Sequence, residues 1–291
     1  MFDGFEEARA RVPDAEIHYR IGGSGPPLLL LHGYPQTHHI WHKVAPMLAE
    51  RFTLVMPDLR GYGRSRGPAP DAAHLHYSKR AMAADMVALM SGLGFKRFGL
   101  AGHDRGGRVG YRLCLDHPQR VTRFCPIDII PTLDAWERMD ADKAISTYHW
   151  QFLAVPAPVP EKLIGADPDF YYSHLLDRWA GYRDRLAPEA VADYLTQFHD
   201  PAVIAATCAD YRAGASVDRR HDAEDRAAGR GIVCPVLVLW GRGYLASKAA
   251  SPSAIWRDWA TEVSEVALDC GHFVVEEEPE KAAAALGEFF A

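Results

Sequence analysis

The chain predicts an α/β fold with a mostly parallel sheet, helices on both faces of that sheet and one helical insertion. Three observations carry this expectation. Short apolar runs alternate with segments of helical period, each run ends in a glycine, proline or aspartate cluster, and several runs are apolar at successive positions. A strand buried between two helical layers has no wet face, so it loses the alternation of a half-exposed sheet.

In chain order the strands are expected at 16–21 (EIHYRI), 28–31 (LLLL), 53–56 (TLVM), 98–101 (FGLA), 121–127 (VTRFCPI), 236–240 (VLVLW) and 263–268 (VSEVAL). Helical patterns fall between them at 40–50, 78–92, 106–116 and 252–260, and a last helix at 279–290 draws on the propensity of its alanine run. Parallel strands joined this way share one carboxyl edge, where such sheets form their ligand crevices. The alternation stops between Thr132 and Gly231, where aromatic, charged and proline-rich pieces such as VPAPVP replace any legible strand. The stretch 132–231 starts after one strand and stops before the next. It is therefore expected to be a helical cap inserted into a core made of 1–131 and 232–291, excluding water from the strand ends.

With 48% hydrophobic and 24% charged residues, the 291-residue chain has the balance of a folded globular protein and not of a disordered or fibrous one. Thirty-two lysines and arginines against 38 aspartates and glutamates leave a net charge of −6 without basic runs, which argues against a nucleic-acid or anionic-membrane partner. The opening MFDGFEEARARV lacks the apolar core of a signal peptide, and the longest apolar stretches are too short to span a bilayer, so a cytoplasmic location is expected. Cys114, Cys125, Cys208, Cys234 and Cys270 are odd in number, lack metal-ligand spacing and are expected as buried thiols. No internal repeat is evident.

Gly102-His103-Asp104-Arg105-Gly106 follows the run FGLA and precedes a helical pattern. It has the glycine spacing of a nucleophile elbow, G-x-S-x-G, with aspartate in place of serine. Taken alone, the string also fits an aspartate capping a helix after a turn. Two further strand ends support the elbow: His32-Gly33-Tyr34-Pro35 after LLLL, and Gly271-His272-Phe273 after the last strand. On these motifs the chain resembles the α/β-hydrolases, with a nucleophile on the elbow, an early HG-x-P oxyanion loop and a histidine near the carboxyl terminus. The loop Asp58-Leu59-Arg60-Gly61-Tyr62-Gly63-Arg64-Ser65 also fits this fold and is read as architecture.

A serine needs a base to remove its proton, whereas a carboxylate at neutral pH is already an anion. Asp104 can attack saturated carbon directly, forming an ester that water must then cleave at the Asp104 carbonyl carbon. His272 is the expected base for that water, and the backbone N–H groups of Tyr34 and Arg105 are the expected oxyanion hole. The acid that orients the histidine is often found after the next-to-last strand of this fold. Here that loop reads Trp240-Gly241-Arg242-Gly243-Tyr244-Leu245-Ala246-Ser247 and has no carboxylate. Asp128, after the strand ending Cys125-Pro126-Ile127, takes the role; otherwise it is a turn residue before Pro131.

Haloalkane dehalogenases usually have a tryptophan after the nucleophile; this sequence has Arg105, with Arg108 three residues further along the same helical pattern. Two guanidinium groups so placed suit a substrate carboxylate, though arginines are ordinarily surface residues. Together with Tyr148-His149-Trp150 and Tyr211, these residues resemble the fluoroacetate dehalogenase family. The resemblance implies that Arg105 and Arg108 bind the carboxylate, and that His149, Trp150 and Tyr211 cradle the leaving halide. Without it, Trp150 and His149 would read as packing residues. It further implies hydrolysis of a small haloacid by water with no metal or organic cofactor, and a homodimer. An epoxide hydrolase, using the same Asp, His and acid with Tyr148 and Tyr211, is the alternative. A binding-only member of the fold conflicts with the filled triad positions.

Overall fold

The computed structural model describes residues 1–245 and 251–291. Its strands are β1 (Glu6–Val12), β2 (Ala15–Gly22), β3 (Pro27–Leu31), β4 (Thr53–Pro57), β5 (Phe98–His103), β6 (Val121–Ile127), β7 (Val236–Gly241) and β8 (Val263–Leu268). They form one sheet in the order β1-β2-β4-β3-β5-β6-β7-β8. Neighbours from β4 across to β8 are parallel, while β2 runs antiparallel to both β1 and β4. The seven expected strands are all present.

β1 was not foreseen. Its sequence EEARARV alternates charged residues with alanine and buries none of them completely, which suits an edge strand whose charges discourage further pairing but carries little apolar signal. The central strands alternate their allegiance residue by residue, as the pleat requires. Leu28 and Leu30 pack with Leu54, Met56, Leu237 and Leu239 beneath the helix Pro279–Phe290, whereas Leu29 and Leu31 join Val55, Leu100 and Val238 beneath the helices Lys79–Gly92 and Arg105–Asp116.

Two helical expectations need correction. The segment 40–50 is not one helix but a 3-10 turn, His38–Trp41, followed by the short helix Ala45–Ala49. Pro46 explains the break, because it lacks an N–H and its ring would strike the carbonyl four residues earlier. The helix expected at 252–260 stops at Trp256, and its last residues serve the backbone elsewhere: Ile232 N–H donates to Trp259 O at 2.7 Å, and Ala260 bridges Ile232.

Between β6 and β7 the described residues hold helices and no strand, from Thr132–Glu137 to Val217–Ala227. Proline opens several of them, where its missing N–H costs nothing. Asp167 and Asp200 cap two such starts by accepting the N–H groups of Phe170 and Ala202. All five cysteines are buried and unpaired. Among the described residues no helix is long and apolar enough to cross a membrane.

Candidate active site

The turns after β5, β6, β7 and β8 converge on one cavity of about 350 Å³, whose walls include Asp104, Arg108, Trp150, Trp179, Tyr244 and His272. Asp104 sits between β5 and the helix Arg105–Asp116 at φ 45° and ψ −114°. A non-glycine residue in that region is strained, and the corner lifts its carboxylate off the strand end. The glycines around it leave room for the turn: a Cβ at Gly102 would lie 2.5 Å from the Gly106 backbone, and one at Gly106 would lie 2.4 Å from His32 O.

Tyr34 N–H donates to Asp104 Oδ1 at 2.9 Å, which gives one of the two expected oxyanion-hole donors a direct contact. The other, Arg105 N–H, opens the helix that follows. Burial would raise the Asp104 carboxyl, but His272, Arg105 and Arg108 outweigh it and hold the group below its ordinary value. Asp104 is thus an anion enclosed with cations.

His272 follows β8 through the turn Asp269-Cys270-Gly271, and its Nδ1 lies 2.5 Å from Asp128 Oδ2. Asp128 Oδ1 also accepts Gly241 N–H at 3.0 Å, so the carboxylate is fixed on both oxygens. Burial pushes the Asp128 carboxyl up while the bond from His272 opposes it. The neighbouring β7 loop supplies Tyr244 to the wall, its ring 4.2 Å from that of His272. Ala246 and Ser247 of that loop lie outside the described residues.

The two arginines differ. Arg108 lines the cavity; its Nη1 donates to Ile130 O and Thr132 Oγ1, both at 3.1 Å, and its guanidinium carbon stands 4.5 Å over the Trp150 ring. Its Nε has no partner among the described residues. Arg105 is also buried, but its Nε and Nη2 reach Asp210 Oδ2 and Oδ1 at 2.9 and 2.6 Å, and its carbon stacks 4.2 Å over Tyr211. Neither is a surface arginine.

His149 and Trp150 come from the helix Tyr148–Ala154 and Tyr211 from the helix Pro201–Ala215. Their rings form one cluster, with His149 and Trp150 respectively 5.7 and 6.3 Å from Tyr211. Burial drives His149 down to about 3, so its ring is neutral through the physiological range. Trp179, 4.5 Å from His149, carries the carbonyl that accepts His272 N–H at 2.9 Å and so links the helical stretch to the triad histidine. Tyr148 lines a separate outer groove with Ile145, Phe152 and Phe170.

Sequence reasoning missed Trp179, Tyr244, Asp210 and Glu277. Glu277 is buried and accepts four backbone N–H groups, from Gly181, Tyr182, Gly271 and Phe273, tying the turn that carries His272 to the end of the helix Pro168–Trp179. A carboxylate holding backbone donors has no sequence signature beyond its type. His18, His38 and Asp58 bring three ligand-type atoms within 4.8 Å of one another. There the two Nδ1 atoms lie 3.0 and 2.8 Å from Asp58, and Arg20 Nε donates to His38 Nε2 at 3.2 Å, so the trio reads as a hydrogen-bonded pin for the loop after β4. It lies outside the cavity walls.

An alpha/beta hydrolase fold family model matches residues 26–279. A fluoroacetate dehalogenase from a Burkholderia species is 46% identical over 290 residues, covering 99% of this chain and 95% of the relative. A soluble epoxide hydrolase from Corynebacterium sp. strain C12 is 32% identical over 287 residues, covering 97% and 96% of the two chains. Among solved structures, a Nostoc sp. PCC 7120 protein described as an alpha/beta hydrolase superposes with a TM-score of 0.97, at 47% identity and 99% coverage of each chain.

Proposed function

The chain belongs to the α/β-hydrolase family, on the branch that holds the haloacetate dehalogenases, and from that premise we propose that it hydrolyses the carbon–halogen bond of small 2-haloacids, fluoroacetate to glycolate being the reference case. The observation that carries this reading is an ionised Asp104 enclosed in one cavity with the His272–Asp128 pair and the cavity-lining Arg108.

In the proposed reaction, Arg108, aided by Arg105, holds the substrate carboxylate so that the α-carbon faces Asp104. A carboxylate oxygen of Asp104 forms the new C–O bond as the C–X bond breaks, and the halide leaves with the electron pair toward His149, Trp150 and Tyr211. Fluoride is a poor leaving group, and each positioned donor that meets its charge contributes about 1.5 to 3 kcal/mol. His272 then takes a proton from water, whose oxygen attacks the Asp104 carbonyl carbon. The N–H groups of Tyr34 and Arg105 hold the oxyanion, at about 3 kcal/mol for a well-placed donor, while Asp128 supports the imidazolium. Collapse breaks the ester C–O bond, the departing oxygen takes the proton back from His272 to give the hydroxyacid, and the proton left on the Asp104 carboxyl passes to solvent, restoring the carboxylate. Displacement at carbon inverts a chiral α-centre.

In this scheme 132–231 is the cap that excludes water and supplies the halide donors. The homodimer implied by the resemblance is supported by the outer groove of about 960 Å³ with exposed Ile145, Leu163 and Phe170 around it; sedimentation at micromolar protein tests it. Five unpaired thiols suit the expected cytoplasmic location.

The decisive experiment is a single turnover in ¹⁸O-water. The ester route sends an Asp104 oxygen into the first glycolate and solvent oxygen into the protein, whereas solvent label in that first glycolate overturns it. The similar Corynebacterium epoxide hydrolase makes ring-opening of an epoxide the second reading. Against it, Tyr148 lines the outer groove, leaving Tyr211 as the cap tyrosine beside the arginines. Turnover of styrene oxide without halide release from any haloacetate reverses the ranking.

A further inference from the structure

We propose that Asp210 is a positioning residue that aims the Arg105 guanidinium and the Tyr211 phenol, and thereby sets the preference among leaving halogens; the inference rests on the dehalogenase reading above. Asp210 is fully buried, with 0% exposure. Its Oδ2 accepts Arg105 Nε at 2.9 Å and Tyr62 OH at 2.6 Å, and its Oδ1 accepts Arg105 Nη2 at 2.6 Å and the Lys79 ammonium. Its backbone carbonyl takes a second bond from Arg105 Nη2 at 3.0 Å.

A guanidinium has five N–H groups in a rigid plane. Asp210 engages the one on Nε and both on Nη2, so the plane is fixed and the Nη1 end remains for a ligand. Tyr211 is the next residue on the same helix, and the fixed plane stacks 4.2 Å from its ring. One side chain therefore sets the position of a carboxylate-binding group directly and of a halide-binding group through the stack.

The charge balance assigns different work to the two arginines. Arg105 and Lys79 are matched by Asp210 and by Asp218, whose Oδ2 lies 3.3 Å from Lys79 Nζ. Arg108 faces a carbonyl, a hydroxyl and an indole, and among the described residues no side-chain carboxylate is bonded to it. In this arrangement Arg108, balanced only at a distance by Asp104, supplies charge for the substrate, while Arg105 supplies direction. Misdirection falls most heavily on fluoride, which needs its donors at defined points, and less on chloride, which departs more readily.

The test measures kcat and KM for fluoroacetate and chloroacetate with Asp210→Asn, with the charge-balanced pair Asp210→Asn and Lys79→Met, and with Asp218→Asn as control. Asp218 touches Lys79 but not Arg105, so its loss burdens the same buried cluster without releasing the guanidinium. The expected result is a fall in kcat of about 10²-fold on fluoroacetate, the scale of an ångström-sized misplacement. On chloroacetate the expected fall is about tenfold or less, with a lowered melting temperature but an unchanged fluoride-to-chloride ratio for Asp218→Asn. The charge-balanced variant keeps the test open where the single one does not fold. An unchanged ratio in either folded Asp210 variant overturns the positioning role. Failure of the wild-type protein to release halide from both acids overturns the dehalogenase reading instead.

Discussion

At the strand-end side of the cavity, Asp104, Asp128 and His272 take their orientation from the backbone: a left-handed corner, a Gly241 N–H on the acid and a Trp179 carbonyl on the histidine segment. On the helical side, His149, Trp150 and Tyr211 take theirs from ring faces and from a charge cluster centred on Asp210. Asp104 and Asp128 are held by strand ends and their turns, and His272 also by a carbonyl of the helical stretch, whereas a ring-held group shifts with any neighbour that changes volume. In the proposed reaction this difference assigns attack and ester hydrolysis to the strand ends and the choice of leaving group to the helices between β6 and β7.

The strongest way to break that division is Asp104→Asn, which removes the attacking anion. Halide release measured by ion-selective electrode is expected to fall by at least about 10⁴-fold for every halogen; loss confined to one halogen would show that the strand-end side also selects. His272→Asn comes next. It is expected to release about one equivalent of halide and stop, with the protein mass increased by one carboxymethyl group, whereas full turnover without adduct would remove the base from its assigned place.

On the helical side the effects are smaller and halogen-dependent. Tyr211→Phe keeps the ring stacked under Arg105 and deletes one hydroxyl donor, so kcat on fluoroacetate is expected to drop about 10- to 10²-fold and on bromoacetate much less. Equal losses on both would place Tyr211 in the common chemistry.

The smallest expected effect concerns stability on the strand-end side. Burial pushes Glu276 up to about 8, and its Oε2 accepts Gln36 Nε2 at 2.5 Å close to the oxyanion loop. The unfolded chain loses this proton near the ordinary value of 4.5, while the folded chain keeps it to about pH 8, so the folded state binds more protons in between. Its contribution to stability therefore falls as pH rises through that window. Glu276→Gln is expected to flatten the decline of melting temperature between pH 5 and 8 by a few degrees; an unchanged slope would show that Glu276 is ionised in the folded protein.

The same division explains what the sequence disclosed. His32, Asp104, Asp128 and His272 each stand just after a strand whose apolar run and terminating turn are local signals, and the sheet brings those ends together. His149, Trp150 and Tyr211 had no such signal, because their facing depends on how several short, proline-started helices pack; only the family resemblance singled them out. Asp210 and Glu277 were invisible for another reason, since each works through partners distant in the chain, Arg105 being 105 residues away and Gly181 being 96. β1 escaped because an edge strand of glutamate, alanine and arginine buries too little to leave an apolar pattern.

The five buried cysteines acquire a meaning from the proposed substrates. Chloro- and bromoacetate are themselves electrophiles that carboxymethylate accessible thiolates. Burial pushes Cys208 up to about 12 and raises Cys114, Cys125 and Cys270 as well, while the bond from Cys114 lowers Cys234, which is protected by burial alone. On the proposed reading, buried sulfurs leave the Asp104 carboxylate as the intended point of alkylation, where water can release the product again.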